Sequence, residues 1–194
     1  MKSKMKDNIK NYFERVSNNF IELCNQSEKI SNAIDIIYES LNNKNKIIFC
    51  GNGGSASDSQ HLAAELMGRY KLDRDPLPAI SLSVDTSALT AIGNDYGYEY
   101  TFSRQLKGVG NSGDVLVAIS TSGESKNVIK AVEVAKEMNI YTVAFTGKDI
   151  SSLSEIVDLS INAPSQETNH IQEMHIAIGQ LICGAIEDKF FKRN

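Results

Sequence analysis

From residue 46 onward, five short runs rich in Val, Ile and Leu alternate with helical patterns, and no other feature of the chain restricts its fold as much. The candidate strands are 47–50, 79–83, 115–120, 141–145 and 156–161. Helical periodicity occupies 55–70, 86–106, 125–138 and 149–155, and a final helix is expected from about 167 to 191, just after Pro164. Strands this short and this uniformly apolar, separated by helices, predict an α/β fold in which a parallel sheet is covered by helices on both faces. Ligands of such sheets sit beyond the carboxyl ends of the strands, where this chain has its small polar loops.

Ahead of the first strand, Ile9, Tyr12, Phe13, Val16, Phe20 and Ile21 fall at helical spacing, followed after a polar break at Asn25 to Glu28 by Ile30, Ala33, Ile34, Ile37 and Leu41. The pattern predicts two helices. The first has a wide apolar face and no evident partner within a minimal α/β unit, so it is expected to pack on another subunit. The expected organisation is one domain over 1–194, with oligomer-packing helices in 1–43 and the α/β core and final helix in 46–194.

The most informative loop follows the first strand: Gly51-Asn52-Gly53-Gly54-Ser55-Ala56. Its glycines let the backbone turn sharply and approach a ligand closely, and Ser55 or Ser57 can cap the next helix, whose free N–H groups face the loop. Strand, glycine loop and helix N-terminus make an anion site. On that helix His61 and Glu65 share a face, with Arg69 expected one turn further on. The loop also matches the dinucleotide pattern G-x-G-x-x-G/A, but Asp85 comes 29 positions after Ala56 rather than at the usual spacing, and the chain lacks room for a substrate domain. A nicotinamide cofactor is therefore not expected.

A second loop, Ser120-Thr121-Ser122-Gly123-Glu124-Ser125, sets four hydroxyls at a helix start directly after a strand, enough to bind a phosphate without a lysine. Asn94 and Asp95, in a glycine-flanked polar break, are suited to sugar hydroxyls. On the last helix Gln172 and Gln180 are eight positions apart, on one face, where a buried amide needs a partner or a ligand. His170 and His175 read as structural.

A net charge of −4 offers no general attraction to nucleic acid or an anionic membrane, so phosphate binding has to be local. No apolar run approaches the roughly 18 residues of a membrane span, and the N-terminus lacks the apolar stretch of a signal peptide. Cys24, Cys50 and Cys183 lie far apart without C-x-x-C spacing and read as buried thiols of a reducing compartment. The expectation is a cytoplasmic protein with no membrane and no direct nucleic-acid partner.

Taken together, Gly-Asn-Gly-Gly-Ser-Ala with Gln60, His61 and Glu65, Thr90-Ala-Ile-Gly-Asn-Asp-Tyr-Gly, Ile119-Ser-Thr-Ser-Gly-x-Ser-x-Asn, and Ile171-Gln-Glu-Met-His resemble the sugar isomerase (SIS) domain family over nearly the whole chain. The resemblance implies a five-stranded parallel sheet and a homotetramer with active sites between subunits. It also implies an aldose–ketose isomerase that converts sedoheptulose 7-phosphate to D-glycero-D-manno-heptose 7-phosphate through an enediol, for lipopolysaccharide heptose. Carried over residue by residue, Ser120, Thr121, Ser122 and Ser125 hold the phosphate. Asn52, Gly53, Gly54, Asn94 and Asp95 contact the sugar, with Ser55 and Arg69 as further substrate-binding candidates. Glu65 is the base and Gln172 orients the substrate. Some members carry zinc on His61, Glu65, Gln172 and a histidine two turns further along the last helix.

This chain departs from that pattern at Gln180, which stands in the histidine's place both as catalytic group and as metal ligand. An amide does not exchange protons near neutral pH and is a weaker zinc ligand than imidazole. The departure raises two alternatives on the same fold: a non-catalytic adaptor that binds the bacterial replication initiator, and a sugar-phosphate sensor. The retention of both His61 and Glu65 favours the isomerase.

Overall fold

The strands form because their side chains are buried on one face of the sheet or the other, fully in β1 and β3 and in part at the edges. In a computed structural model that describes residues 2–192, β1 (Ile47–Gly51), β2 (Ala79–Ser81), β3 (Val115–Ile119), β4 (Tyr141–Thr146) and β5 (Leu159–Asn162) make one sheet in the order β2-β1-β3-β4-β5, all neighbours parallel. Side chains alternate between two cores. Ile47, Phe49, Val115, Val117, Val143 and Phe145 face one, while Ile48, Cys50, Leu116, Ala118 and Ala144 face the other. Two-sided burial explains why the strands read as unbroken apolar runs.

The first core is covered by α2 (Ser27–Asn42), α3 (Gly54–Met67) and α8 (Thr168–Phe191), the second mainly by α5 (Thr101–Val109), α6 (Lys126–Glu137) and α7 (Ser152–Ile156). The N-terminal helix α1 (Lys2–Leu23) and a short 3₁₀ turn at Cys24–Gln26 precede α2, as the polar break predicts. Helix α1 rests on α8 through the Tyr12 and His170 rings, 4.9 Å apart, and a hydrogen bond from the Tyr12 hydroxyl to Glu173. Its outer face leaves Met5, Ile9, Phe13 and Ile21 more than half exposed. His175 is fully buried and donates from Nε2 to the Thr146 carbonyl at 3.0 Å, pinning α8 to the end of β4. Burial pushes this imidazole down to about 4, so it stays neutral.

Three expected elements are corrected. The helix foreseen over 86–106 is two helices, α4 (Thr86–Tyr96) and α5, separated at Gly97, whose φ of +102° no helix accommodates, and by a 3₁₀ turn at Tyr98–Tyr100. The strand foreseen over 156–161 is β5, starting only at Leu159, because a capping box between Ser151 and Ser154 keeps the chain helical through Ile156. The strand foreseen over 79–83 stops at Ser81, whose hydroxyl accepts the Ser83 N–H at 3.3 Å and turns the chain away from β1. Among the cysteines, Cys50 and Cys183 are buried as expected, but Cys24 is exposed because it sits on the turn between α1 and α2.

Candidate active site

The strand order reverses between β1 and β3, and the chain leaves both strands at the same edge of the sheet. A crevice at that switch point is where an open α/β sheet binds its ligand. The two loops singled out in the sequence flank it.

After β1 the chain turns through Asn52 and Gly53 into α3. Gly53 is the residue that caps the helix, at φ +56° and ψ −120°, so Ser55 and Ser57 lie inside the helix and neither caps it, contrary to expectation. A glycine able to take positive φ starts the helix early and frees Ser55, whose hydroxyl donates to Gln172 Oε1 at 3.3 Å. A Cβ at Gly54 would sit 2.9 Å from the same Gln172 oxygen, so α8 approaches the loop as closely as a glycine permits.

After β3, Ser120 Oγ accepts from the Gly123 N–H at 3.1 Å and lies 3.0 Å from Ser125 Oγ, beside the N-terminus of α6. Ser122 is exposed, its hydroxyl accepting from Glu124 N–H at 3.2 Å. Thr121 and Ser122 line a cavity of about 250 Å³ together with Lys148, Ser165, Gln166 and Thr168. Hydroxyls and first-turn N–H groups are the donors that an anion would meet at this end.

Further along α3, His61 Nε2 lies 3.1 Å from Glu65 Oε1, and the Gln180 amide on α8 donates to Glu65 at 3.2 Å and sits 3.1 Å from His61 Nε2. When His61 accepts from that amide, its lone pair and the carboxylate oxygen face each other, an arrangement satisfied by a shared proton or by a cation. Donors bound to one tetrahedral zinc ion stand about 3.3 Å apart, given Zn–N and Zn–O bonds near 2.0 Å. The His61 and Glu65 atoms therefore fit the ion as two donors, while Gln180 presents its NH2 and offers an oxygen only with its amide turned over. Among the described residues no group of three or more His, Cys, Asp or Glu side chains is placed to hold a metal.

Gln172 does not join that cluster. Its Nε2 donates to Asp58 and its Oε1 accepts from Ser55, so it lies against the first turns of α3. Burial pushes the Asp58 carboxyl above its usual range, and the Gln172 N–H and nearby His61 pull it part of the way back. Asp58 went unnoticed in the sequence, although it precedes His61 by three positions and Glu65 by seven, the spacing of one helix face. Asn127, which closes the motif after Ile119 but was given no role, and Tyr98, which was missed, both bond to Asn52. Arg69 lies beyond α3, which ends at Met67, and is exposed. Asn94 and Asp95 are exposed near the end of α4 and hydrogen-bonded to each other at 2.8 Å.

Residues 11–147 match the SIS domain. A phosphoheptose isomerase from Akkermansia muciniphila is 51% identical over 187 residues, which is 96% of this chain and 99% of that protein. The structure of a phosphoheptose isomerase from Neisseria gonorrhoeae superposes with a TM-score of 0.90 at 40% identity, over 95% of this chain and 99% of the other. One from Francisella tularensis gives 0.91 at 35% identity, over 94% and 97%.

Proposed function

Since this chain belongs to the SIS domain family, among its phosphoheptose isomerases, we propose that it converts sedoheptulose 7-phosphate to D-glycero-D-manno-heptose 7-phosphate in heptose biosynthesis. The observation that carries this reading is the convergence of His61, Glu65 and Gln180 on the facing sides of α3 and α8. A carboxylate held by an imidazole and an amide can remove the proton from C1 and return it to C2. His61, the one titratable group bonded to Glu65, moves the hydroxyl proton between O1 and O2 of the enediol. Ser120, Thr121, Ser122 and Ser125 with the N-terminus of α6 hold the phosphate, while Asn52, Gly53, Gly54, Ser55 and Gln172 line the sugar's path. Zinc would be held by His61 and Glu65, with Gln180 as a third donor through its carbonyl oxygen once the amide is turned over, and when bound it would polarise the sugar carbonyl.

The geometry also supports assembly. Glu65 is eleven residues beyond Gly54, about 16 Å along a helix rising 1.5 Å per residue, whereas a heptose phosphate reaches about 10 Å from C1 to phosphorus at ordinary bond lengths. One substrate thus spans the loops of one copy and the Glu65 cluster of another. The same reasoning brings Gln172, eight residues from Gln180 on α8, to a partner's cluster rather than its own. The exposed Ile9, Phe13 and Ile21 face of α1 supplies apolar surface for such contacts, in keeping with a homotetramer.

Incubating the protein with sedoheptulose 7-phosphate, with and without zinc, and following the aldose by NMR tests the reading. Accumulation of the aldose supports it. Binding of the sugar phosphate without turnover in either condition contradicts it and points to the sensor, the alternative that the amide at Gln180 favours. Gln180→His discriminates further: in an isomerase it raises kcat about tenfold or more, toward the roughly 10²–10⁴-fold that a placed proton-transfer group contributes. In a sensor it changes no rate.

A further inference from the structure

Asn52 commits both lone pairs of its Oδ1 and one of its two Nδ2 hydrogens inside the protein, which leaves a single N–H for a ligand. Its Oδ1 accepts from Asn127 Nδ2 at 2.9 Å and from the Tyr98 hydroxyl at 2.9 Å, and its Nδ2 donates to Asn127 Oδ1 at 2.8 Å. Asn127, nearly fully buried in the first turns of α6, also reaches Thr101 Oγ1 at 3.3 Å, and that hydroxyl donates to the Tyr98 carbonyl at 2.8 Å. The bonds close a ring through Tyr98, Asn52, Asn127 and Thr101. Three segments meet in it: the glycine loop before α3, the start of α6 just past the serine loop, and the turn after Gly97. The reciprocal amide pair bridges the β1/β3 switch point, so it sets how far apart the N-termini of α3 and α6 stand.

We propose that Asn127 and Tyr98 are positioning residues that lock the Asn52 side chain and fix the separation of the glycine and serine loops, so that a sugar phosphate is gripped at both ends in one register. Asn52 then serves the ligand mainly through its backbone and the loop it holds, with one amide N–H in a direction the ring fixes. The inference rests on the isomerase reading for its substrate and on the hydrogen-bond ring for its residues. Tyr98 suits a test because its ring is 62% exposed while its hydroxyl is bonded, so removing one oxygen disturbs no core.

Tyr98→Phe and Asn127→Asp are compared with the unaltered protein for kcat, KM, melting temperature and inhibition by inorganic phosphate, which occupies the serine loop alone. Tyr98→Phe removes one bond. Asn127→Asp keeps the bond accepted from Asn52 but loses those donated to Asn52 and to Thr101, and sets an acceptor against Asn52 Oδ1. Tyr98→Phe is expected to lower kcat/KM for sedoheptulose 7-phosphate about three- to tenfold, the range of one hydrogen bond, and Asn127→Asp by at least as much, while phosphate inhibition changes less than about twofold and Tyr98→Phe melts with the unaltered protein. Unchanged kcat/KM in Tyr98→Phe overturns the inference, as does a loss in either variant matched by an equal loss of phosphate binding. If the unaltered chain binds the sugar phosphate without turning it over, the isomerase reading fails by itself. The ring is then judged on affinity: a three- to tenfold weaker sugar phosphate in both variants supports it, and wild-type affinity overturns it.

Discussion

Replacing Glu65 with glutamine is expected to lower kcat at least about 10²-fold and as much as about 10⁴-fold, the contribution of a placed proton-transfer group. Glutamine keeps the length and planarity of the side chain, and its carbonyl can still accept from the Gln180 amide that now reaches Glu65 at 3.2 Å. What disappears is the ability to take a proton from carbon. The side chain is partly exposed and bears no buried ion pair, so melting should stay within a few degrees of the unaltered protein. A variant that retains more than about a tenth of the wild-type rate, against the losses seen when such groups are removed, removes Glu65 from the mechanism. A variant that unfolds would assign the residue a structural role instead.

The second large effect lies behind the site. Glu187 on α8 accepts the N–H groups of Tyr70, Lys71 and Leu72 at 3.0, 2.8 and 2.9 Å and the Nε–H of Arg74 at 3.0 Å. Arg74 in turn donates to the carbonyls of Glu65 and Leu66 at 2.8 Å each, closing the C-terminal end of α3. Both charged side chains are 1% exposed. Removing one member of a buried pair leaves the other without compensation, so Glu187→Ala is expected to cost about 3–5 kcal/mol, a fall of about 10 °C in melting temperature for a chain of this size. Loss of less than about 1 kcal/mol, the worth of an exposed ion pair, would mean that the pair is solvated.

The same carboxyl carries a pH dependence. Burial by itself would push Glu187 up, but the three backbone N–H bonds and Arg74 outweigh it and hold the carboxyl below the usual glutamate range. Its folded pKa is therefore lower than its unfolded one, and the folded state binds fewer protons between the two. The stabilisation is complete above the ordinary glutamate value and is lost as pH falls through the depressed one. Glu187→Ala should lack that part of the acid-induced loss.

The sheet was legible in the sequence because both of its faces are buried, which writes each strand as an apolar run that survives any error in topology. The polar break before Gly97 was legible but not that the helix ends there, since a single glycine between Tyr96 and Tyr98 looks the same whether the helix continues or turns; the sign of φ is a tertiary outcome. Ser55 was misread as a cap for a related reason: a hydroxyl near a helix start satisfies the capping pattern, and only the approach of Gln172 from α8 shows where its proton goes. His61 and Glu65 were found because helical spacing alone puts them on one face. Asp58 belonged to that face and could have been found by the same count. Asn127 stood in the serine-loop motif, but neither its role nor that of Tyr98 could be read, because their bonds to Asn52 join segments 75 and 46 residues apart. Arg69 failed as a member of the Glu65 face because it assumed a helix that stops at Met67, where Gly68 follows.

The central claim is that Glu65 carries the proton between C1 and C2, and running the reaction in D₂O tests it most directly. A carboxylate exchanges its proton with solvent between removal and return, so the aldose formed by the unaltered protein should carry deuterium at C2, and recovered ketose should carry it at C1. Glu65→Gln should leave sedoheptulose 7-phosphate bound and free of deuterium at C1. Deuterium entering C1 in that variant at the wild-type rate would contradict the claim.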